Sequence, residues 1–174
     1  ALANHLLKSK SVGKVVIAHD SRFMGRQFAE SAASVMQANG FTPFIVKGNT
    51  PTPVAGFAVK HLNAVAGINF TASHNPPEYQ GFKYITSWGG LASSIETNSI
   101  EQELATADVK TTEAKFEEID VTDAFLGSIL KALPKTQRKL SILVNPMFGT
   151  AAEYLPKLLE SLGHSVTTMQ MAQD

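Results

Sequence analysis

The stretch GINFTASHNPPEYQGFKYI, residues 67–85, decides how this chain folds. Two short runs of apolar and aromatic residues flank a polar loop that contains Pro76 and Pro77. Because adjacent prolines break both helices and strand ladders, the pattern predicts a strand, a loop and a second strand. Alternating strand and helix patterns on either side predict an α/β fold, with helices covering both faces of a sheet.

The segments before and after this stretch complete a first unit. Short β-branched runs predict strands, and apolar residues at helical spacing predict helices. A capping box of Ser93 and Glu96 begins the last helix. The expected unit is a three-layer α/β/α domain, residues 1–118, with a four-stranded sheet. The predicted strands are 14–20, 41–48, 64–70 and 81–85, and the predicted helices are 1–10, 22–39, 54–62 and 93–106.

A polar segment, residues 107–118, reads as a linker to the start of a second, similar domain, residues 119–174. Its pattern is helix, strand, helix, strand, and Pro156 implies that the second helix either starts near Glu153 or is kinked. Thr150 and Glu153 are expected to form a capping box there. This unit is too small to bury a sheet alone, so we expect the chain to be truncated at its C-terminal end.

Composition narrows the function classes. Lys plus Arg and Asp plus Glu are 15 each, so no net positive charge favours a nucleic-acid partner. The chain has no cysteine, which excludes disulfides and thiolate metal sites. No apolar run approaches the ~20 residues that span a bilayer, and residues 1–10 do not resemble a signal peptide. These features predict a soluble cytoplasmic protein.

The loop after the third predicted strand carries the candidate chemistry. In open α/β sheets, ligands bind beyond the carboxyl ends of the strands, where this loop lies. Ser73 is its only strong nucleophile, and Lys83 could supply a positive charge for a phosphate. The alternative is an ordinary solvated turn, since Ser, Asn and Pro are common turn residues. A serine hydrolase is disfavoured, because no Gly-x-Ser-x-Gly elbow is present.

Four segments resemble the α-D-phosphohexomutases, the phosphoglucomutase and phosphomannomutase family. TASHNPPEYQGFK (71–83) resembles the family's phosphoserine loop, and VVIAHDSR (15–22) its first strand with the Asp-x-Arg turn. TPTP (50–53) resembles its Thr-Pro loop, and ILVNPMFGTAAEYLPKLLESLG (142–163) the start of its second domain. The resemblance covers nearly the whole chain and implies that the sheet of the first domain is mixed.

The resemblance also implies a reaction. A phosphoserine gives its phosphoryl group to a hexose phosphate, the hexose 1,6-bisphosphate reorients, and phosphate moves between C1 and C6. Mg²⁺ bridges the phosphoserine and an aspartate-rich loop. Carried onto this chain, the catalytic residues are Ser73, His74 and Lys83, with Ser73 also a metal ligand through its phosphate. The phosphate-binding or supporting residues are Thr71, Asn75, Asp20 and Arg22.

Several alternatives remain open. Asp20 and Arg22 could be only a helix cap and a surface ion pair, and His74 could simply pack beside the loop. The family's Gly-x-x-Gly-x-Arg segment and Asp-x-Asp-x-Asp loop are absent, so we expect this part to be inactive alone and to depend on the remaining domains. The alternative function is a non-catalytic α/β module that binds a phosphorylated ligand or a partner.

Overall fold

Strands and helices alternate along the chain in the computed structural model, which describes residues 1–134 and 138–171. Within these residues no helix is long and apolar enough to cross a membrane. A 3₁₀ turn, Thr150–Glu153, precedes the last helix. The elements are α1 (Leu2–Lys8), β1 (Lys14–His19), α2 (Gly25–Ala38), β2 (Thr42–Val46), α3 (Thr52–His61), β3 (Ala66–Phe70), β4 (Phe82–Thr86), α4 (Ser94–Gln102), β5 (Glu117–Ile119), α5 (Thr122–Ala132), β6 (Ser141–Val144), α6 (Leu155–Ser161) and β7 (Ser165–Thr168).

The first five strands form one mixed sheet in the order β4-β3-β1-β2-β5. Strand β4 runs antiparallel to β3, and the other neighbours are parallel. The predicted α/β class and mixed sheet are confirmed. The predicted number of four strands is wrong, because β5 adds a fifth at the edge.

Strand β5 begins at the end of the polar segment, residues 107–118, that the sequence predicts to be a linker, and it extends one residue beyond it. It has only three residues and no buried side chain, so no apolar pattern marks it. Backbone pairing with β2 defines it instead, and the Lys47 amide extends the pairing by donating to the Ile119 carbonyl at 2.8 Å. From α2, the Arg26 guanidinium pairs with Glu118 at 2.6 Å and lies over the Phe116 ring at 5.3 Å.

Two apolar cores lie on opposite faces of this sheet. One includes Leu6 of α1 and Ala33 of α2 against Ile17 and Ile68. The other packs α3 against β1 and β4, and it also takes in Leu126 and Tyr154. Helix α5 and the start of α6 therefore pack on the first unit. The division into two domains at residue 118 stays a prediction. The predicted end of the second domain, Asp174, lies outside the described residues.

Helix ends follow local geometry more than apolar spacing. Helix α2 begins at Gly25, three residues later than the pattern predicts, because Met24 adopts a left-handed conformation with φ 58°. The Ser93–Glu96 capping box is present and begins α4, which ends at Gln102. Pro156 lies in the first turn of α6, where its missing amide hydrogen costs no helical bond. The α-helix therefore starts at Leu155, two residues after Glu153, and Pro156 lies at its beginning and not at an interior kink.

The topology gathers four chain segments at one edge of the first sheet. Strands β1, β2 and β3 are parallel, so their last residues, His19, Val46 and Phe70, lie on the same side. Strand β4 is antiparallel and begins there with Phe82. The loops that follow β1, β2 and β3 consequently meet above the carboxyl edge of the sheet.

Candidate active site

A cleft of about 600 Å³ opens at this edge. It contains five of the seven predicted site residues in its wall, and the second unit contributes Gly149 and Thr150. His74 and Lys83 are not part of this wall. The lining residues are Asp20, Ser21, Arg22, Phe23, Thr50, Pro51, Thr52, Pro53, Thr71, Ser73, Asn75, Pro77, Gly149 and Thr150.

Ser73 has an unusual backbone conformation in the loop after β3. Its φ is 55°, in the left-handed region that a side chain with a Cβ disfavours. The Thr71 hydroxyl accepts a hydrogen bond from the Ser73 amide at 2.9 Å. Thr71 is itself buried, at 7% exposed, and its amide donates to the Gly81 carbonyl at 3.0 Å. Thr71 therefore holds the nucleophile from the end of the strand.

Gly81 closes this loop against its own beginning. A Cβ at position 81 would collide with the Thr71 carbonyl oxygen. Only glycine lets the two ends of the loop approach this closely. The approach brings the start of β4, and with it Lys83, beside the loop.

Lys83 reaches the candidate nucleophile directly. Its ammonium donates to the Ser73 hydroxyl oxygen at 2.8 Å. Strand pairing accounts for this contact, because Lys83 of β4 lies opposite Asn69 of β3 in the antiparallel ladder. An ammonium at this distance favours negative charge on the serine oxygen or on a phosphate attached to it.

Arg22 binds the same loop from the turn after β1. One terminal nitrogen donates to the carbonyls of Pro76 and Tyr79, both at 2.9 Å. The other donates to the carbonyls of Ser73 at 2.9 Å and Asn75 at 2.6 Å. A helix cap and surface ion pair alone would not produce these contacts, since they join positions more than fifty residues apart.

Asp20 orients Arg22. One carboxylate oxygen accepts from the Arg22 amide at 3.0 Å, and the other lies 3.5 Å from its Nε. Both side chains are 13% exposed, so the pair is largely shielded from water. Gly25 packs closely against the same turn, because a Cβ at this position would lie only 3.0 Å from the Asp20 carbonyl oxygen.

The two remaining predicted residues differ in their placement. The Asn75 amide donates to the Ala72 carbonyl at 3.1 Å, so its backbone is part of the loop's own turn. His74 is exposed, and within the described part of the chain it makes no hydrogen bond or ion pair. The structure thus brings Ser73, Lys83, Arg22, Asp20, Thr71 and Asn75 together and leaves His74 at the surface.

Sequence reasoning missed the second wall of the cleft, the start of α3. The Thr50 amide donates to the His19 carbonyl at 2.7 Å, and the fully buried Asn69 donates to the Thr52 hydroxyl at 3.0 Å. The signal for Asn69 was an amide within the apolar run AGINF. Thr50 and Thr52 carried no individual signal beyond their place in the Thr-Pro loop.

The contact between the two units also differs from the sequence prediction. The predicted capping box of Thr150 and Glu153 does not form. The Glu153 carboxylate instead accepts from the Asn49 amide at 3.2 Å, next to Gly48. This bond joins the 3₁₀ turn to the loop that leads into Thr50.

The described residues do not fit a complete metal site. No group of three or more His, Asp or Glu side chains lies close enough together among them to hold an ion. Asp20, a carboxylate in the wall of the cleft, is paired with Arg22. A hard cation such as Mg²⁺ needs several oxygen ligands, so this part of the chain supplies too few.

Comparison with known proteins identifies the family and the fold. The model of the phosphoglucomutase/phosphomannomutase α/β/α domain I matches residues 1–111. The chain belongs to this family. The phosphoglucomutase of Staphylococcus saprophyticus is 31% identical over 179 residues, which cover 94% of this chain and 32% of that protein. That of Staphylococcus aureus is 30% identical over 186 residues, covering 99% of this chain and 33% of the relative.

Solved structures of the family agree. A phosphoglucomutase/phosphomannomutase family protein from Burkholderia thailandensis superimposes with a TM-score of 0.83 at 26% identity, over 99% of this chain and 39% of that one. The Paramecium protein pp63/parafusin, at 18% identity and a TM-score of 0.79, shares the fold. This family member therefore spans about a third of the length of the curated relatives that it matches.

Proposed function

We propose that this chain is the phosphoryl-carrying part of a phosphohexomutase, with Ser73 as the residue that carries the group. The observation that supports this most directly is the 2.8 Å contact between the Lys83 ammonium and the Ser73 hydroxyl. It occurs in a loop that is held open to the cleft and that lies in the matched family domain. The substrate would be a hexose phosphate, and the complete protein would move phosphate between C1 and C6.

In the proposed transfer, Ser73 carries the phosphoryl group and Lys83 stabilises its charge. When Ser73 is phosphorylated, the bond from phosphorus to its Oγ breaks as a sugar hydroxyl oxygen bonds to phosphorus, and the hydroxyl proton leaves to a base. In the return step the Ser73 Oγ loses its proton and bonds to the phosphorus at the other position of the hexose 1,6-bisphosphate, while the bond from that phosphorus to the sugar oxygen breaks and the sugar oxygen takes up a proton. Lys83 stabilises charge on Oγ in both directions, since a phosphoserine carries roughly −1.5 to −2. Phosphoryl transfer depends mainly on such positioning and charge neutralisation.

Thr71, Asp20 and Arg22 support this step from beneath the loop. Thr71 and Arg22 hydrogen-bond the Ser73 backbone and Asp20 pairs with Arg22, so the conformation of Ser73 in the cleft wall is set before a substrate arrives. Preset geometry lowers the entropy that is lost when reacting groups align. His74 is exposed towards solvent, where it remains available to a sugar phosphate or to the rest of the protein.

We expect Mg²⁺ to bind only in the complete protein. The phosphate on Ser73 would be one ligand, and the other oxygen ligands would come from residues outside this chain. The cytoplasm is the expected location, since sugar phosphates are handled there.

The test is Ser73→Ala in the complete protein, with Ser31→Ala on the exposed side of α2 as the matched control. We expect turnover of a hexose 1-phosphate to fall by several orders of magnitude for Ser73→Ala, because the two-step covalent route is lost. Ser31→Ala should retain full turnover. Peptide mapping of the phosphorylated protein should find phosphate in residues 71–83 at Ser73 and not at the buried Thr71.

The competing function is a non-catalytic module that binds a phosphorylated ligand. It predicts that Ser73→Ala changes ligand affinity without affecting any turnover, and that no phosphate is found on the loop. Full mutase activity of the Ser73→Ala protein would also exclude Ser73 as the carrier.

A further inference from the structure

Arg22 admits two roles beside a phosphoryl-transfer loop. An arginine there could bind a substrate phosphate, or it could hold the loop. The two roles compete for the same atoms, because a guanidinium has only five N–H donors and a donor that already serves one acceptor binds a second one more weakly. The number of donors that are free therefore decides between them.

Four of the five donors of Arg22 are hydrogen-bonded within the chain, and the fifth takes part in an ion pair. Its two terminal nitrogens carry four N–H groups, which donate to four backbone carbonyls at 2.6 to 2.9 Å. The fifth, on Nε, faces the Asp20 carboxylate at 3.5 Å. A phosphate could gain a hydrogen bond from the terminal nitrogens only by displacing one of these carbonyls, and at Nε it would compete with the Asp20 carboxylate.

The charge of Arg22 is compensated as well. Asp20 lies against the guanidinium, and both side chains are largely buried. The pair is neutral as a unit, so it adds little attraction for an anion in the cleft. Lys83, which contacts the Ser73 Oγ directly, has no carboxylate paired with it in the described residues.

We propose that Arg22 is a positioning residue that sets the conformation of the Ser73 loop and does not bind the substrate phosphate. This inference rests on the proposed function for its catalytic consequence, but its structural part stands without it. Arg22 binds the Ser73 carbonyl, and Thr71 binds the Ser73 amide. The two bonds fix both peptide groups of Ser73 and so maintain its left-handed φ of 55°.

Only the planar, forked guanidinium of Arg22 can bind the four loop carbonyls at once. They belong to residues 73, 75, 76 and 79 and converge on one planar fork. Lysine has three donors on one nitrogen and cannot reach four separated carbonyls from a single point. A phosphate ligand, in contrast, tolerates lysine, because an ammonium also attracts a phosphate as a point charge.

The experiment compares Arg22→Lys and Arg22→Ala in the complete protein, with Arg26→Ala as control. Arg26 is four residues further along, and its ion pairs go to Glu30 and Glu118, away from the loop. Hydrogen–deuterium exchange of peptides within residues 71–83 reports the loop directly. The amides of Ser73, Asn75 and Tyr79 are among those that are hydrogen-bonded inside the loop.

We expect both Arg22 variants to exchange these loop amides at least about tenfold faster, while Arg26→Ala leaves them unchanged. We also expect kcat to fall about tenfold or more in both, with KM for the hexose phosphate within about threefold, because the nucleophile is misplaced and the substrate contacts remain. Thermal unfolding shows whether Arg22→Ala is folded. If Arg22→Ala is not folded, the loop exchange and the kinetics of Arg22→Lys decide whether Arg22 positions the loop.

Unchanged loop exchange in Arg22→Lys would overturn the proposal. So would a tenfold rise in KM at constant kcat, or full kcat with lysine, since both indicate a phosphate ligand. If the unsubstituted complete protein has no mutase activity, the proposed function fails, and the exchange result still decides whether Arg22 positions the loop.

Discussion

At the scale of single residues, Gly81 determines how closely the two ends of the Ser73 loop approach. A methyl group at this position would overlap the Thr71 carbonyl, which belongs to the backbone and has little room to move. We expect Gly81→Ala to lower the free energy of unfolding by about 1–3 kcal/mol, as overpacking does elsewhere. Urea denaturation of this chain measures the change.

Gly127 provides the control for that substitution. It lies within α5, and a Cβ there would meet nothing within 4 Å. Gly127→Ala should raise the free energy of unfolding by about 0.4–1 kcal/mol, because alanine restricts the unfolded chain. Equal stability of the two alanine variants would contradict the close contact at Gly81.

Lys83 is the residue whose charge the proposed transfer needs. Replacing it with methionine keeps the length of the side chain and removes the ammonium that contacts the Ser73 Oγ. A hydrogen bond to a charged group contributes about 1.5–3 kcal/mol, so we expect turnover to fall about 10- to 150-fold in the complete protein. Steady-state assays of a hexose 1-phosphate test this.

The matched control is Lys131→Met, at the exposed end of α5. It removes the same charge far from the cleft and should leave turnover unchanged. A similar loss of activity in both variants would mean that net charge, and not the contact with Ser73, affects the rate.

At the scale of secondary structure elements, helix α4 depends on its capping box. The Glu96 carboxylate accepts hydrogen bonds from the Ser93 backbone amide and, second in importance, from the Ser93 hydroxyl. These bonds lower the pKa of Glu96 from its ordinary value. Because the pKa is lower in the folded state, these bonds stabilise the fold above the pKa of the unfolded chain. The contribution is lost as the pH falls through the folded pKa.

Glu96→Gln tests this pH dependence. We expect the difference in unfolding free energy between the unsubstituted chain and Glu96→Gln to be largest near pH 6 and to shrink towards about pH 3. Ser93→Ala, which removes the cap itself, should cost about 1 kcal/mol near neutral pH. Denaturation series at several pH values give both numbers. A difference that stays constant with pH would show that the Glu96 carboxylate does not stabilise the helix.

At the scale of the whole molecule, the cleft has only part of the groups that the proposed reaction needs. The chain spans about a third of its relatives, and its described residues include no cluster of metal ligands. We therefore expect the chain alone to show no turnover of glucose 1-phosphate and to bind Mg²⁺ with a Kd above about 1 mM. A coupled assay and calorimetry measure the two quantities. Turnover by the isolated chain would overturn this expectation.

The sequence by itself determined the α/β class, the first four strands and the Ser73 loop. It could do so because these features are local. Apolar spacing reports burial, adjacent prolines interrupt regular structure, and a loop after a parallel strand must lie at the carboxyl edge of the sheet. The motif around Ser73 is contiguous, so the family resemblance also needed no knowledge of the fold.

The tertiary structure alone decided how that loop is held. Strand β5 exists through backbone pairing with β2, which polar side chains do not reveal. Arg22 binds carbonyls more than fifty residues away, and Glu153 binds the amide of Asn49 across 104 positions. Every residue carries a backbone amide or carbonyl, so these partners leave no mark in the sequence. Only the packed chain brings a particular side chain to a particular peptide group.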